Sequence, residues 1–162
     1  MPDLICDTSP IQYLYQLDLL HIIPALGGRI FVPPAVVDEI KVGLSLGVNL
    51  PDPDRLDWAI VQQPVSEQAL PLITNLGPGE AESLMLALEM KSAVLVLDDG
   101  LAREIADTLN LQFTGTLGLL LDAKQTGIVP EVRPLLDKLQ LLRFRLALHT
   151  YETVLHLAGE SL

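Results

Sequence analysis

Four acidic residues stand at positions from which they could bind a metal ion together. Asp7 ends the apolar run of residues 4–6, and Asp98 ends the apolar run of residues 93–97. Glu39 and Glu80 each lie early in a predicted helix. If the two runs are neighbouring strands of one parallel sheet, their aspartates emerge at the edge where such sheets bind ligands. Converging carboxylates repel each other unless a cation joins them, so a metal-dependent enzyme is the first hypothesis.

The donor types indicate which metal would bind. Carboxylate oxygens without paired His or Cys suit Mg²⁺ or Mn²⁺ better than Zn²⁺. The three histidines have no metal-ligand spacing and are predicted to lie on the surface; they are His21, His149 and His156. A site of this kind typically activates a water molecule and stabilises charge on a phosphate during in-line displacement.

Each acid also has a structural interpretation of its own. Glu39 or Glu80 could simply interact with the dipole at the start of its helix. Asp7, and either Asp98 or Asp99, could cap the helix that follows. Because all four acids are expected at one edge of the sheet, a shared site is favoured over four separate structural roles.

Helix phase separates these acids from their neighbours. Glu39 borders the apolar stripe of its helix, whereas Asp38 points away from it. In the helix predicted at residues 80–90, Glu80 lies nearer the apolar stripe than Glu82 does. Acids on the rim of a buried helix face can reach the sheet edge, so the phase selects Glu39 and, less firmly, Glu80.

The elements that must position these acids alternate between strand and helix. The predicted strands are residues 4–7, 29–32, 56–61, 93–97 and 112–113. Five predicted helices cover residues 11–17, 18–25, 80–90, 130–142 and 148–158. Three more are predicted without two fixed ends: one opens at Pro33-Pro34, one has Leu101, Ile105 and Leu109 inward, and one runs from the turn at 114–116 to about residue 127. Thr8 or Ser9 is the predicted N-cap of the first helix, and the hydroxyls of Thr114 and Thr116 are expected to face the cleft. This alternation predicts an α/β fold, a doubly wound three-layer sandwich with a central parallel sheet.

Composition limits the class of protein. The chain has 162 residues, is 49% hydrophobic and has a mean hydropathy of +0.39, which predicts one domain over residues 1–162. The apolar surplus indicates either a self-association surface or simply a leucine-rich core. No run approaches the roughly 18 apolar residues needed to cross a membrane, and Met1-Pro2-Asp3 lacks the positive start of a secretory signal. With Cys6 as the one cysteine, a cytoplasmic protein is predicted.

The charge is strongly acidic but unevenly distributed. A net charge of −11 argues against non-specific binding of nucleic acid by the whole surface. Residues 131–145, however, carry four basic residues against two acidic ones. This stretch predicts either a modest basic face or an ordinary solvated helix surface.

Short motifs occur in a fixed order along the chain. They are Asp7-Thr8-Ser9, Val32-Pro33 before Glu39, Gly79-Glu80-Ala81-Glu82, Leu97-Asp98-Asp99, Thr114-Gly115-Thr116-Leu117-Gly118 and a tail at Tyr151-Glu152 and Ala158-Gly159-Glu160. In this order and spacing, the chain resembles the PIN-domain ribonucleases, most closely their prokaryotic, toxin-like (VapC-type) branch. The resemblance spans essentially the whole chain.

The resemblance implies a PIN-like fold and Mg²⁺- or Mn²⁺-dependent cleavage of RNA. It carries the acidic site onto Asp7, Glu39, Glu80 and Asp98, with metal bound by Asp7, Glu80 and Asp98 and with Ser9 helping to hold the first carboxylate. Many relatives are toxins held by a small antitoxin protein, and many form homodimers.

The chain also departs from the family pattern. The third acidic residue of the family is often Asp, whereas here it would be Glu80, with Glu82 as the alternative. Asp99, next to Asp98, is a further supporting acid. A Thr or Ser commonly precedes the last Asp by two positions, but Val96 stands there, so Thr114 or Thr116 would have to supply the hydroxyl. These departures bear on catalysis more than on the fold. The alternative prediction is therefore a PIN-like binding or regulatory module with little or no nuclease activity.

Other α/β families fit less well. A haloacid-dehalogenase-type phosphatase needs a second Asp where Ser9 stands, and a receiver domain needs paired acids at the first strand. A dinucleotide-binding domain needs a glycine-rich turn after the first strand, and the chain has Thr8-Ser9-Pro10 there. A Gly-x-Ser-x-Gly elbow is absent from the sequence.

Overall fold

The structure, a computed structural model, describes residues 1–65 and 75–161. Five strands form one all-parallel sheet in the order β3-β2-β1-β4-β5. Their bounds are β1 Leu4–Cys6, β2 Ile30–Val32, β3 Ala59–Val61, β4 Val94–Val96 and β5 Phe113–Thr114. Every predicted strand is found, and the fifth is displaced by one residue.

Within the described ranges, eight α-helices and one 3₁₀ turn, Pro53–Arg55, surround the sheet. The helices are α1 Thr8–Gln16, α2 Ile22–Leu26, α3 Pro34–Ser45, α4 Pro78–Glu89, α5 Gly100–Thr108, α6 Thr116–Gln125, α7 Arg133–Leu141 and α8 Leu148–Leu157. Prolines stand in the first turns of α3, α4 and α7, where a missing N–H costs no helical hydrogen bond.

The first helix differs from its prediction at both ends. It begins at Thr8, and its N-cap is Asp7, so the predicted cap at Thr8 or Ser9 is wrong. The hydroxyl of Thr8 instead donates to Glu39, 31 residues away. The second predicted helix cannot begin at Asp18, because Asp18 has a left-handed φ of 61° that ends α1. That helix begins at Ile22.

Alternation along the strands builds the three layers. Leu4 and Cys6 of β1 pack into one apolar core together with α1, α2, α3, α6, α7 and α8. Ile5 points to the other face, into a second core with Leu84 of α4 and Ala102 of α5. Strands buried on both faces are typical of parallel sheets covered by helices, so the predicted α/β/α sandwich is confirmed.

The sheet order places the two predicted aspartates together. Strand β1 pairs with β4 so that Cys6 lies opposite Val96, and the N–H of Asp7 donates to the carbonyl of Val96 at 3.0 Å. The chain leaves β1 toward β2 and β3 on one side and returns to β4 and β5 on the other. Asp7 and Asp98 therefore lie at the switch point of the sheet, where open α/β folds bind their ligands.

The surface agrees with most of the simpler sequence predictions, but Leu101, predicted to point inward, is exposed, because α5 buries Ala102 and Ala106 instead. His21, His149 and His156 are all exposed, and Cys6 is a buried free thiol. None of the helices found in residues 1–65 and 75–161 is long and apolar enough to span a bilayer.

Candidate functional site

Asp7 is a buried carboxylate with an unsatisfied oxygen. It follows β1 directly and is 3% exposed, and its Oδ1 accepts no hydrogen bond in the described part of the chain. Burial first, and then the negative charges of Glu80, Glu39 and Asp98, raise the pKa of Asp7 to about 7, against a lowering by the backbone of Thr8. A buried acceptor of this kind costs free energy unless a cation or proton joins it.

Asp98 is held rigidly at the end of β4. The backbone N–H of Thr116 donates to its Oδ1 at 2.8 Å, and the Thr116 hydroxyl donates to its Oδ2 at 2.7 Å. Thr116 is fully buried at the start of α6. Of the two candidate threonines, Thr116 thus supplies the hydroxyl, whereas the side chain of Thr114 lies against Gly118.

Glu39 is tied to two protein donors. Its Oε2 accepts the hydroxyl of Thr8, and its Oε1 accepts the N–H of Gly79 at 2.9 Å. The approach is so close that a Cβ at Gly79 would lie 2.6 Å from Oε2. Glu39 therefore joins α1, α3 and the first turn of α4, and it is set back from the cavity that Asp7 lines.

Glu80 and Glu82 have different surroundings, although both lie on α4. The Glu80 carboxylate lies over Gly77, where a Cβ would be 2.6 Å from its Oε2. Burial first, and then the charges of Glu39 and Asp99, raise the pKa of Glu80. Glu82 instead accepts the N–H of Ala35 at 3.0 Å, in the first turn of α3. Glu80 therefore lies with the acidic cluster, and Glu82 joins two helices.

These acids open onto a cavity of about 440 Å³. Asp7, Glu80, Asp98 and Asp99 line one part of it, and Ser9 shares the same cavity. Asp99 also caps α5 by accepting the N–H of Ala102 at 2.9 Å. The segment after α7 lines the same cavity with Arg143, Phe144 and Arg145.

A second cavity of about 380 Å³ adjoins the first. Asp98, Phe144 and Arg145 line both cavities, and Arg103 lines only the second. Arg103 donates from Nε to the carbonyl of Leu97 at 2.9 Å. The basic stretch 131–145 was visible in the sequence, but Arg103 was missed, because no local pattern distinguishes it from any other helical arginine.

The comparisons with known proteins identify the family. A family model described as DUF3368, a PIN domain, matches residues 3–160. The chain belongs to this PIN-domain family. PIN domains are generally nucleases, and PIN nucleases typically use divalent metal ions. No curated protein matches the chain.

The acidic site of this PIN domain fits a hard cation by its chemistry, although it is not preassembled. In the described residues, no three His, Cys, Asp or Glu side chains are grouped closely enough to hold a metal ion. Four carboxylates nevertheless line the cavity, beside the hydroxyls of Ser9 and Tyr13, and carboxylate oxygens are the preferred ligands of Mg²⁺ and Mn²⁺. The unpartnered Oδ1 of Asp7 and its raised pKa are what a cation bound there would relieve.

Proposed function

We propose that this PIN domain is a Mg²⁺- or Mn²⁺-dependent endoribonuclease. The observation that carries the proposal is Asp7, a carboxylate that is almost fully buried, unpartnered at Oδ1 and surrounded by other acids. A fold alone has no use for such a group, since burying a carboxylate without a partner is unfavourable. Strongly shifted acids in a cleft are typical of functional sites.

In this proposal three acids share the binding of the ion, Glu80 has a second task, and Glu39 has a different one. Asp7, Glu80 and Asp98 would hold the ion, which when bound lowers the pKa of a water molecule and neutralises charge on the phosphate. Asp98 is oriented by Thr116, whose two hydrogen bonds fix both carboxylate oxygens. Glu80 accepts a hydrogen bond from the attacking water. Glu39 is a positioning residue that keeps α1 and α4 at the right separation.

Assembly of the site needs a small side-chain movement. The carboxylate of Glu80 lies over Gly77, just before its own helix, and it shares a cavity with Asp7, so metal binding would require this side chain to turn toward Asp7. Asp98 keeps its threonine partner during this movement, because a carboxylate oxygen has lone pairs for both a hydrogen bond and a ligand bond.

Cleavage of RNA with and without Mn²⁺ tests the proposal. We expect the wild type to cleave only with the ion, and Asp7→Asn and Asp98→Asn to lose cleavage by about 100-fold or more while remaining folded. Asp38→Asn, an exposed acid beside Glu39, is the matched control and should cleave normally. Wild-type rates in either of the first two variants would contradict the assignment.

The rival function is a binding or regulatory module of PIN type. It is favoured by the net charge of −11, which opposes RNA binding, and by the absence of a ready-made metal trio in the described residues. Thermal melting distinguishes the two, since an ion at about 100 times its Kd stabilises the folded state by about 2.7 kcal/mol. A melting temperature that Mn²⁺ leaves unchanged would favour the module.

The finer family features are part of the same proposal. We infer a toxin-like role with a small antitoxin partner, a homodimeric assembly and a cytoplasmic location. Support for protein partners comes from exposed apolar side chains in residues 42–48, where Val42 is 58% and Leu46 is 77% exposed. Co-purification of the chain with the product of a neighbouring small reading frame would test the antitoxin.

A further inference from the structure

The second cavity differs in charge from the acidic one. Arg103 of α5 and Arg145 of the segment after α7 both line it, together with the ring of Phe113. Asp98 and Phe144 stand between the two cavities, since both of them line each one. A chain molecule that passes from the first cavity to the second would therefore leave most of the carboxylates, remain beside Arg145, which lines both cavities, and reach Arg103.

These arginines have no acidic partner in the described residues. The ion pairs found there use Arg29, Lys41, Arg55 and Lys124. Arg103 spends Nε on the carbonyl of Leu97 and lies over the ring of Phe113, with 5.2 Å from its Cζ to the ring centroid. The arginine is thus fixed in place, with its Nη2 beside Gly115 on the side of Asp98 but without an ion pair to it, so its Nη donors can still bind an anion. The chain has a net charge of −11, so acidic partners are plentiful. Arginines that lack such a partner in the described residues, beside the acidic site, therefore indicate a place where an anionic ligand could bind.

The backbone after α7 places Arg143 and Arg145 at this position. The N–H of Phe144 donates to the carbonyl of Leu139 at 2.9 Å, and the N–H of Arg143 to that of Gln140 at 3.1 Å, which is a Schellman ending. Arg143 has a left-handed φ of 67°. The other residues with positive φ in the described chain are Asp18, Asn110 and three glycines, which tolerate it well. Within residues 1–65 and 75–161, a long side chain is found in this conformation only where α7 ends beside the acids.

We propose that the second cavity binds the RNA phosphate next to the scissile one, through Arg103 and Arg145. The inference rests on the proposed function, because it takes RNA to be the molecule in the acidic cavity. Guanidinium groups bind phosphate oxygens through paired N–H donors. Binding the neighbouring phosphate offsets the repulsion between the acidic surface and a polyanion, so only a strand that reaches both cavities is held. Arg143 lines the acidic cavity but not the second one, so in this proposal it faces the scissile phosphate itself.

The salt dependence of binding tests this subsite. In an Asp7→Asn background that leaves RNA uncleaved, binding of a fluorescent single-stranded RNA hexamer is measured by anisotropy between about 50 and 200 mM salt. Arg145→Gln and Arg103→Gln should each weaken binding by about tenfold, and each should lower the slope of log K against log salt by about 0.7. Arg55→Gln removes the same charge from an exposed site outside both cavities, and the slope should stay unchanged.

The outcomes separate the two proposals. An unchanged salt slope in Arg145→Gln, or the same loss in Arg55→Gln, overturns the subsite even if the wild type cleaves RNA. Binding that depends on these arginines in a wild type without nuclease activity sustains the subsite and overturns the proposed function. No detectable binding of the hexamer overturns the subsite as well. Arg145 is exposed, so its removal should leave the fold intact, and Arg103→Lys retains the charge if Arg103→Gln fails to fold.

Discussion

At the scale of single residues, Asp7 links protonation to stability. Its pKa in the folded protein is about 7, against 3.8 ordinarily, so the folded state binds the proton more tightly than the unfolded chain does. The resulting stability is fully present below about pH 4 and is lost as the pH rises through 7. Without a divalent ion, the protein should therefore become less stable between these two values.

We predict that Asp7→Asn removes this pH dependence. The rise in pKa from 3.8 to about 7 corresponds to about 1.4 kcal/mol for each unit, so the variant should be more stable than the wild type at pH 8 by on the order of 4 kcal/mol. At pH 4 the difference should be small, because Asp7 is then protonated in the wild type. Urea unfolding in EDTA at both values measures this, with Asp38→Asn as the control. A gain that is equal at the two pH values would show that Asp7 is not the titrating group.

Glu80 and Glu82 are predicted to separate catalysis from stability. Glu82→Ala removes the acceptor of the Ala35 N–H, so the free energy of unfolding should fall by about 1–2 kcal/mol while cleavage persists. Glu80→Ala removes a carboxylate that is partly buried and repelled by Glu39 and Asp99. Stability should be maintained and RNA cleavage lost. If Glu82→Ala were the inactive variant, the two assignments would have to be exchanged.

At the scale of elements, α7 ends in a conformation that is unfavourable for Arg143 but places its positive charge beside the acids. A left-handed conformation costs an L-residue about 1–2 kcal/mol compared with glycine, and Arg143 adopts it where glycine would be usual. The other helix ends of this type have Asp18, Asn110 or glycine at that position. This contrast indicates that the side chain of Arg143 is retained for a contact outside the fold.

Arg143→Gly should accordingly stabilise the protein while weakening RNA binding. We expect a gain of about 1 kcal/mol in the free energy of unfolding and a Kd for single-stranded RNA raised by about tenfold. Asn110→Gly, at the end of α5, is the matched control: a smaller gain in stability and no change in RNA binding. Chemical denaturation and anisotropy give the two values. A destabilised Arg143→Gly would mean that its side chain supports the fold.

At the scale of the whole molecule, residues 42–48 are the candidate contact between two copies. Val42 and Leu46 are 58% and 77% exposed, and Leu44 and Val48 of the same segment are exposed as well; a cluster of exposed apolar side chains is typical of an interaction surface. We expect light scattering to give twice the chain mass of 17.7 kDa, and Leu46→Glu to give a single chain. Leu157→Glu, at another exposed leucine that is 60% exposed on α8, should remain a dimer. A wild-type monomer would remove this surface from the proposal.

The sequence by itself determined the layers and the position of the acidic edge. Apolar runs ending in Asp7 and Asp98 predicted the strands, and the parallel sheet then required both aspartates at one edge. Helix phase preferred Glu80 to Glu82, as the cavity lining has it. The predictions of the strands and of their shared edge succeed because hydropathy period, turn residues and strand ends act over a few neighbouring residues.

Only the tertiary structure decided how each acid is held and what surrounds it. Thr8 and Glu39 are 31 residues apart, Asp98 and Thr116 are 18 apart, and Arg145 reaches the site from beyond α7. The unpartnered oxygen of Asp7 and the cationic second cavity are likewise products of packing. Hydrogen bonds, burial and pKa shifts depend on distances between side chains that are far apart in the sequence and are brought together only by folding. Local patterns could therefore predict which acids lie at the sheet edge, but not how each one is held there.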